Sequence, residues 1–320
     1  MRRLGFAVKV LGRPGLKEHD SRRWQNNPHL SVSLAYLRDI FEYLRSQRIR
    51  MYRISSDLAP YLTHPDMPQF HGQIEECAVE LEAVGRLAQE ADLRLSFHPS
   101  QYVLLNAPDE DLARRSAMDL NAQAEILERM GLGPEAVVVT HVGGVYDGHE
   151  AARERFVRRF ERLPELTRRR LVLENDDQRF SVADVLWIHR RTGLRLVFDN
   201  LHHYNCNPEG MPLREALAAC LATWPADVTP KVHFSSPRTE MRVAERKDPA
   251  TGRKEAVLQP PDWTNHSDYV NPFEFIAFLR EAAGLRPFDV MLEAKAKDLA
   301  LLRLREDLAR FAPDLAETIQ

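Results

Sequence analysis

The sequence predicts a parallel (β/α)₈ barrel, and three observations carry that prediction. Short β-branched and aromatic runs alternate with stretches of helical periodicity, the βα rhythm of a parallel sheet. The runs number eight, enough to close a barrel. Six of them lead into a residue that can bind a metal: LRLSF before His98, AVVVT before His141, RLVL before Glu174, LRLVF before Asp199, KV before His233 and VML before Glu293. In a parallel barrel this end of the strands is where the chemistry is done. An open doubly wound sheet would gather its ligands at one switch-point crevice, so polar ends spread over most strands favour the closed ring.

In order, strands are expected near residues 3–8, 50–54, 93–97, 136–140, 170–174, 195–199, 231–234 and 288–293. The first helix is expected over Leu34–Gln47, where Leu34, Leu37, Ile40, Phe41 and Leu44 repeat at i, i+3, i+4. Glu75–Ala91, Asp109–Met130, Glu150–Leu163, Ser181–Thr192, Leu213–Thr223, Pro272–Ala283 and Asp298–Phe311 continue the series. Asp109 and Ser181 are cap residues, and Asn271 precedes a proline at a first helical position. The stretch from Ser235 to Asn265 is far longer than a usual βα loop, first charged and then rich in proline and tryptophan, and is expected to be functional or mobile.

The bulk numbers fit one barrel domain over residues 1–320: 44% of residues are hydrophobic and 28% charged. A formal charge of −3 gives no global basic signal, so nucleic-acid binding needs a local patch or bound cations. Cys77, Cys206 and Cys220 form no C-x-x-C pair, which argues against a thiolate zinc site and suits a reducing compartment. The apolar stretch near the N-terminus is broken by Lys9 and glycines, and no run approaches ~20 apolar residues, so a cytoplasmic protein without membrane contact is expected.

A histidine at one strand end is more often a hydrogen-bonded structural residue than a ligand. Several imidazoles and carboxylates in one barrel mouth are different, because they need cations to compensate them. Asp199 and His202 in FDNLHH can converge from one turn, while the adjacent His203 must point elsewhere, toward substrate or behind the ligands. Lys231 and His233 are two apart and share a face, so an inward His233 brings Lys231 inward as well. A buried lysine there must be neutralised, paired or carbamylated. His266, at the far end of the long loop, can return as a ligand.

His98, His141, Glu174, Asp199, His202, His233, His266 and Glu293 outnumber the ligands of one catalytic metal, so two or three ions are expected, with Glu174 and Glu293 bridging. The donors are oxygen and nitrogen without sulfur; Mn²⁺ is the first expectation, with Zn²⁺, Mg²⁺ or Fe²⁺ as alternatives. Such clusters suit phosphodiester hydrolysis.

At these residues the chain resembles the UV damage endonuclease family, relatives of endonuclease IV among metal-dependent barrel nucleases. The matching stretches are YRISSDLAPYLTHP, SFHPSQYVLLN, THVGG, VLENDD, FDNLHHYN, KVHFSSPR, NHSDYV and MLEAKAKD, in order along nearly the whole chain. The resemblance implies a barrel holding up to three metals that incises damaged double-stranded DNA immediately 5′ to a UV photoproduct, leaving a 3′-hydroxyl and a 5′-phosphate. It implies the eight ligands named above, with Glu174, Lys231 and Glu293 as catalytic groups, and Lys231 matches a lysine that is carboxylated in relatives. Gln101 and Tyr102 match a pair that wedges into the duplex at the lesion. A tyrosine ring can fill the space of an unstacked base. Arg53 either reaches a phosphate or serves as a buried salt-bridge partner.

Two departures stand out. Phe6 replaces a frequent tyrosine, losing a hydroxyl but keeping a ring for stacking. The loop between His233 and His266 is longer than the family leads one to expect, and its Arg238, Arg242, Arg246, Lys247, Arg253 and Lys254 offer backbone contacts or a solvated surface. A monomer with no obligate protein partner is expected. The alternatives are an abasic-site nuclease like endonuclease IV, a sugar isomerase of the xylose isomerase-like barrels, and a non-catalytic damage-binding module.

Overall fold

The computed structural model describes residues 1–319 and shows a closed barrel of eight parallel strands. The strands are β1 (Leu4–Ala7), β2 (Met51–Arg53), β3 (Arg94–Phe97), β4 (Val137–Thr140), β5 (Leu171–Glu174), β6 (Arg195–Asp199), β7 (Lys231–Phe234) and β10 (Asp289–Leu292). Each pairs with its neighbour in sequence, and β10 closes the ring between β7 and β1. The observed strands lie within the expected ones, trimmed by at most two residues at an end where sheet pairing stops. Every barrel strand is almost wholly buried, because side chains face either the barrel interior or the helical jacket.

The jacket forms where the apolar spacing places it. Leu30–Ser46 presents Leu30, Leu34, Leu37, Ile40, Phe41 and Leu44 to the core. It starts earlier than expected because the His29 ring accepts from the Ser31 amide and caps it. Asp109 takes the amides of Asp111 and Leu112 at 2.8 and 3.0 Å, and Ser181 and Asp184 form a reciprocal capping box. Asn271 caps Pro272–Glu281. The three cysteines are free.

The stretch 235–265 is not an irregular loop. It folds into an antiparallel hairpin of β8 (Arg242–Lys247) and β9 (Lys254–Gln259), exposed along nearly its whole length. Its strands do not alternate cleanly between apolar and polar, since neither face has a core to bury. No helix among the described residues is long and apolar enough to cross a membrane.

The amino end of the barrel is closed by ions instead of chemistry. Asp289, at the start of β10, accepts from Arg94 at 2.9 Å and Arg3 at 3.2 Å, and Arg3 also reaches Glu135 and Asp92. Arg94 and Asp289 are both buried.

Candidate metal centre

The opposite end gathers the expected residues. Glu174 ends β5, Asp199 ends β6, and His98, His141 and Glu293 directly follow β3, β4 and β10. His233 lies within β7 and is the register partner of Asp199. Glu174 is the hub. Its Oε2 lies 3.1 Å from His98 Nε2 and 3.7 Å from His141 Nε2, and its Oε1 lies 2.9 Å from His233 Nδ1 and 3.5 Å from His202 Nδ1. Glu293 stands 3.4 Å from His233 and 3.8 Å from His266. Three overlapping sets of donors lie close enough to surround an ion: His98–His233–Glu293, His98–His141–Glu174 and Glu174–Asp199–His233–Glu293.

Burial is graded. Glu174, Asp199 and His233 are fully buried, whereas His98, His141 and His266 are partly open to solvent. Glu174, Asp199 and His233 thus form a floor, and His98, His141 and His266 a rim. Above them is a cleft of about 500 Å³ that His98, His141, His202 and His266 help to line.

The donor atoms fit metal ions. Asp199 Oδ1 accepts the His202 amide at 2.9 Å, capping the short helix Asn200–Asn205, but its buried Oδ2 has no partner among the described residues. His233 Nε2 and His141 Nδ1 are likewise buried without partners. Orphaned buried donors and acceptors are costly, and several in one place imply something that satisfies them. The His202 Nδ1 meets the Asn175 carbonyl at 2.9 Å, an arrangement that leaves Nε2 free to bind a cation.

Burial pushes the Glu174 carboxyl up, but the imidazoles of His233 and His141 outweigh it and hold the group well below the usual carboxylate range. For Glu293, burial is outweighed by Arg53 and His233, with the same result. Burial lowers His98 to about 4, keeping its ring neutral at physiological pH. His202 goes the other way: burial is overcome by Asp199, Glu174 and Glu293, raising it to about 9.

Lys231 is fully buried inside the barrel, and its Nζ donates to Ser96 Oγ at 2.9 Å. Burial, reinforced by the charges of Arg53 and Arg94, pushes its amine well below the ordinary lysine range. Arg53 is a salt-bridge partner of Glu293, which occupies it within the centre.

Two expectations need correction. His203 does not face the cleft: it is buried, its Nε2 meets the Met211 carbonyl at 3.0 Å and its ring packs on Phe198. As the next residue along a helix from His202, it is turned to another side. Phe6 is fully buried and packs edge-on to Tyr52 at 5.4 Å, so its ring belongs to the barrel core and is not open to a lesion. Gln101 and Tyr102 are exposed just beyond His98; Gln101 lines the cleft and Tyr102 is 73% exposed.

Sequence reasoning passed over Ser96, Asn175 and Asn106. Ser96 lies two residues before His98, so strand alternation could have placed it inward. Asn175 clamps the backbone of Asp199 through bonds of 2.9 and 3.1 Å. Asn106 holds the loop after His141 to the segment carrying Gln101 and Tyr102, bonding both backbone groups of Gly144. Gly143 must be glycine here: its φ is +117°, and a Cβ would lie 2.2 Å from Asn106 Oδ1.

Comparison with known proteins places this arrangement. The family described as UV-endonuclease UvdE matches residues 29–316. The UV DNA damage endonuclease of Halalkalibacterium halodurans is 34% identical over 267 residues, 82% of this chain and 76% of the relative. That of Bacillus cereus (strain G9842) is 33% identical over 273 residues, 84% of this chain and 78% of the relative. The crystal structure of SacUVDE superposes with a TM-score of 0.79 at 30% identity, covering 97% of this chain and 99% of that one. The 3-keto-D-glucoside 4-epimerase YcjR from E. coli, at 12% identity and a TM-score of 0.54 over 96% of this chain and 100% of that one, shares the fold.

Proposed function

This chain belongs to the UV-endonuclease UvdE family and is a DNA repair endonuclease; from that premise we propose that it is metal-dependent and hydrolyses the phosphodiester immediately 5′ to UV photoproducts in duplex DNA. Its substrates on this reading are cyclobutane pyrimidine dimers and 6-4 photoproducts, and its products carry a 3′-hydroxyl and a 5′-phosphate. The observation that carries the proposal is the set of orphaned atoms on Asp199, His233 and His141 around Glu174, with the exposed pair Gln101–Tyr102 beside His98.

His98, His141, Glu174, Asp199, His202, His233, His266 and Glu293 would hold two or three divalent ions, Mn²⁺ foremost. Bound there, such ions acidify an attacking water and neutralise the charge of the phosphodiester and its leaving oxygen. Glu174 supplies both carboxylate oxygens from its central place, and Arg53 fixes the rotamer of Glu293 through their ion pair. Burial lowers the Lys231 amine and so favours its unprotonated form, whose electron pair would add to carbon dioxide; with loss of one proton the resulting carbamate would offer a further carboxylate-like donor. Tyr102 wedges into the stack at the lesion while Gln101 bonds the exposed base edges.

Purified protein loaded with Mn²⁺ is expected to nick UV-irradiated duplex and to lose that activity in EDTA, with recovery on adding Mn²⁺. Incision confined to an abasic duplex would replace this reading with that of an abasic-site nuclease, and no incision of any DNA would end it.

Tyr102→Ala is expected to lower the preference for damaged over undamaged duplex by about 10-fold, the loss of one stacking contact worth ~1–3 kcal/mol, while metal content stays at the wild-type level. Competition binding and elemental analysis read the two quantities separately. A variant that discriminates as well as wild type would remove Tyr102 from lesion recognition.

A further inference from the structure

The hairpin of β8 and β9 supplies none of the donors gathered in the candidate metal centre, yet it is firmly built. Its strands pair in register from Arg242↔Gln259 to Lys247↔Lys254. Its turn is closed by bonds of 2.8 Å from Asp248 to Arg253 and from Gly252 to Asp248. The Asp248 carboxylate takes the Ala250 amide and the Thr251 hydroxyl at 2.7 and 2.9 Å. An isolated two-stranded ribbon is marginal in water, and this one leaves the cross-strand pair Val243 and Leu258 70% and 61% exposed. Such a surface calls for something to rest on it.

The root shows where the ribbon belongs. Arg238 donates to the Asn265 carbonyl at 2.7 Å, Ser267 to the Ser236 carbonyl at 2.9 Å, and Pro237 bridges to His266. The neighbouring Thr264 and Asn265 line the same cleft as His98 and His141. The ribbon therefore grows from the wall of the metal centre. Charge shows the kind of partner. Along the hairpin, Arg242, Arg246, Lys247, Arg253 and Lys254 stand against Glu245, Asp248 and Glu255, with Asp248 occupied by the turn and Glu255 in register with Arg246. Lys254 is paired with Glu245, whereas Arg246, Lys247 and Arg253 form no ion pair among the described residues.

We infer that this hairpin is a second contact for duplex DNA: its tip cations grip backbone phosphates several base pairs from the scissile bond. The inference rests on the nuclease reading and extends it. Strands of six residues reach about 20 Å, which along B-form DNA is roughly six base pairs at 3.4 Å each. The ribbon thus sets how much flanking duplex the enzyme needs. A basic tip also supplies locally what the overall charge of −3 withholds.

The test uses the full chain and the triple variant Arg246→Glu, Lys247→Glu, Arg253→Glu, with Arg246→Gln, Lys247→Gln, Arg253→Gln as a milder companion. Binding is measured across a salt series on a lesion-bearing duplex of about 30 base pairs, on the same duplex undamaged, and on one too short to pass the tip. The charge-reversed variant is expected to bind both long duplexes at least 10-fold more weakly. Its plot of log K against log salt should be shallower by about 2–3, the release of up to three phosphate contacts. Binding of the short duplex and metal content should change less than twofold. Unchanged affinity and salt slope on the long duplexes would overturn the proposal. Equal loss on short and long duplexes, or loss of metal, would instead make the hairpin a support for His266. A change in sedimentation without a change in DNA affinity would make it a contact between copies of this chain. Because the undamaged duplex reports on the tip without any incision, failure of the hairpin inference is separable from failure of the nuclease reading.

Discussion

Glu174→Gln is expected to lower incision of UV-irradiated duplex by about 100-fold or more and to strip metal from the purified protein. The substitution keeps the volume and removes the negative charge at the point where His98, His141, His202 and His233 converge within 3.7 Å. Partners that merely orient a metal ligand already cost 10–100-fold when changed. A residue facing four imidazoles from the barrel floor should cost at least as much. Elemental analysis beside a single-turnover incision assay reads both effects. Wild-type metal content together with wild-type incision would show that Glu174 is not the hub.

The second large effect lies at the other end of the barrel and concerns stability. Asp289→Ala leaves Arg94 buried without its carboxylate and frees Arg3 from the same anchor. Removing one partner of a buried ion pair costs about 3–5 kcal/mol, since the remaining charge stays desolvated. In a chain of this size that corresponds to a fall in Tm of roughly 5–10 °C. The backbone amide of Arg3 also loses its acceptor, at 2.8 Å in the intact protein. Thermal unfolding followed by circular dichroism is the measurement. A Tm within about 1 °C of wild type would mean that solvent enters this end and hydrates the arginines. The metal centre, several strand residues away, should keep its ions in the variant below its melting temperature.

These two sites were not equally legible in the sequence. The barrel could be read because its strands are buried on both faces, which forces short continuous apolar runs, and because each run is followed by a helix of clear period. The side chains gathered in the candidate metal centre could be read for the same reason, since a strand end fixes where the next side chain points. Direction within a short helix was harder. His202 and His203 differ by one position, yet one meets Glu174 while the other packs on Phe198. Phe6 looked like a stacking ring because strand register alone does not say how deep in the barrel a side chain lies. The Asp289 cluster went unseen because its arginines are distant in sequence and come together only when the ring closes. The hairpin was hidden by its composition: RVAERK and KEAVLQ carry no clean alternation, although the Asp248-Pro249 and Gly252 turn residues between them were a usable signal.

Asp199 divides its carboxylate between two tasks, and the division bears on how an ion would be taken up. One oxygen caps the helix that presents His202, and Asn175 grips the Asp199 backbone from the neighbouring strand. The backbone of the cradle is thus held by protein–protein bonds that do not depend on an ion. Small zinc modules behave otherwise, with their free energy of metal binding serving as free energy of folding. On the metal-dependent reading, ions would load onto a chain already folded, and one divalent species would replace another without passing through an unfolded state.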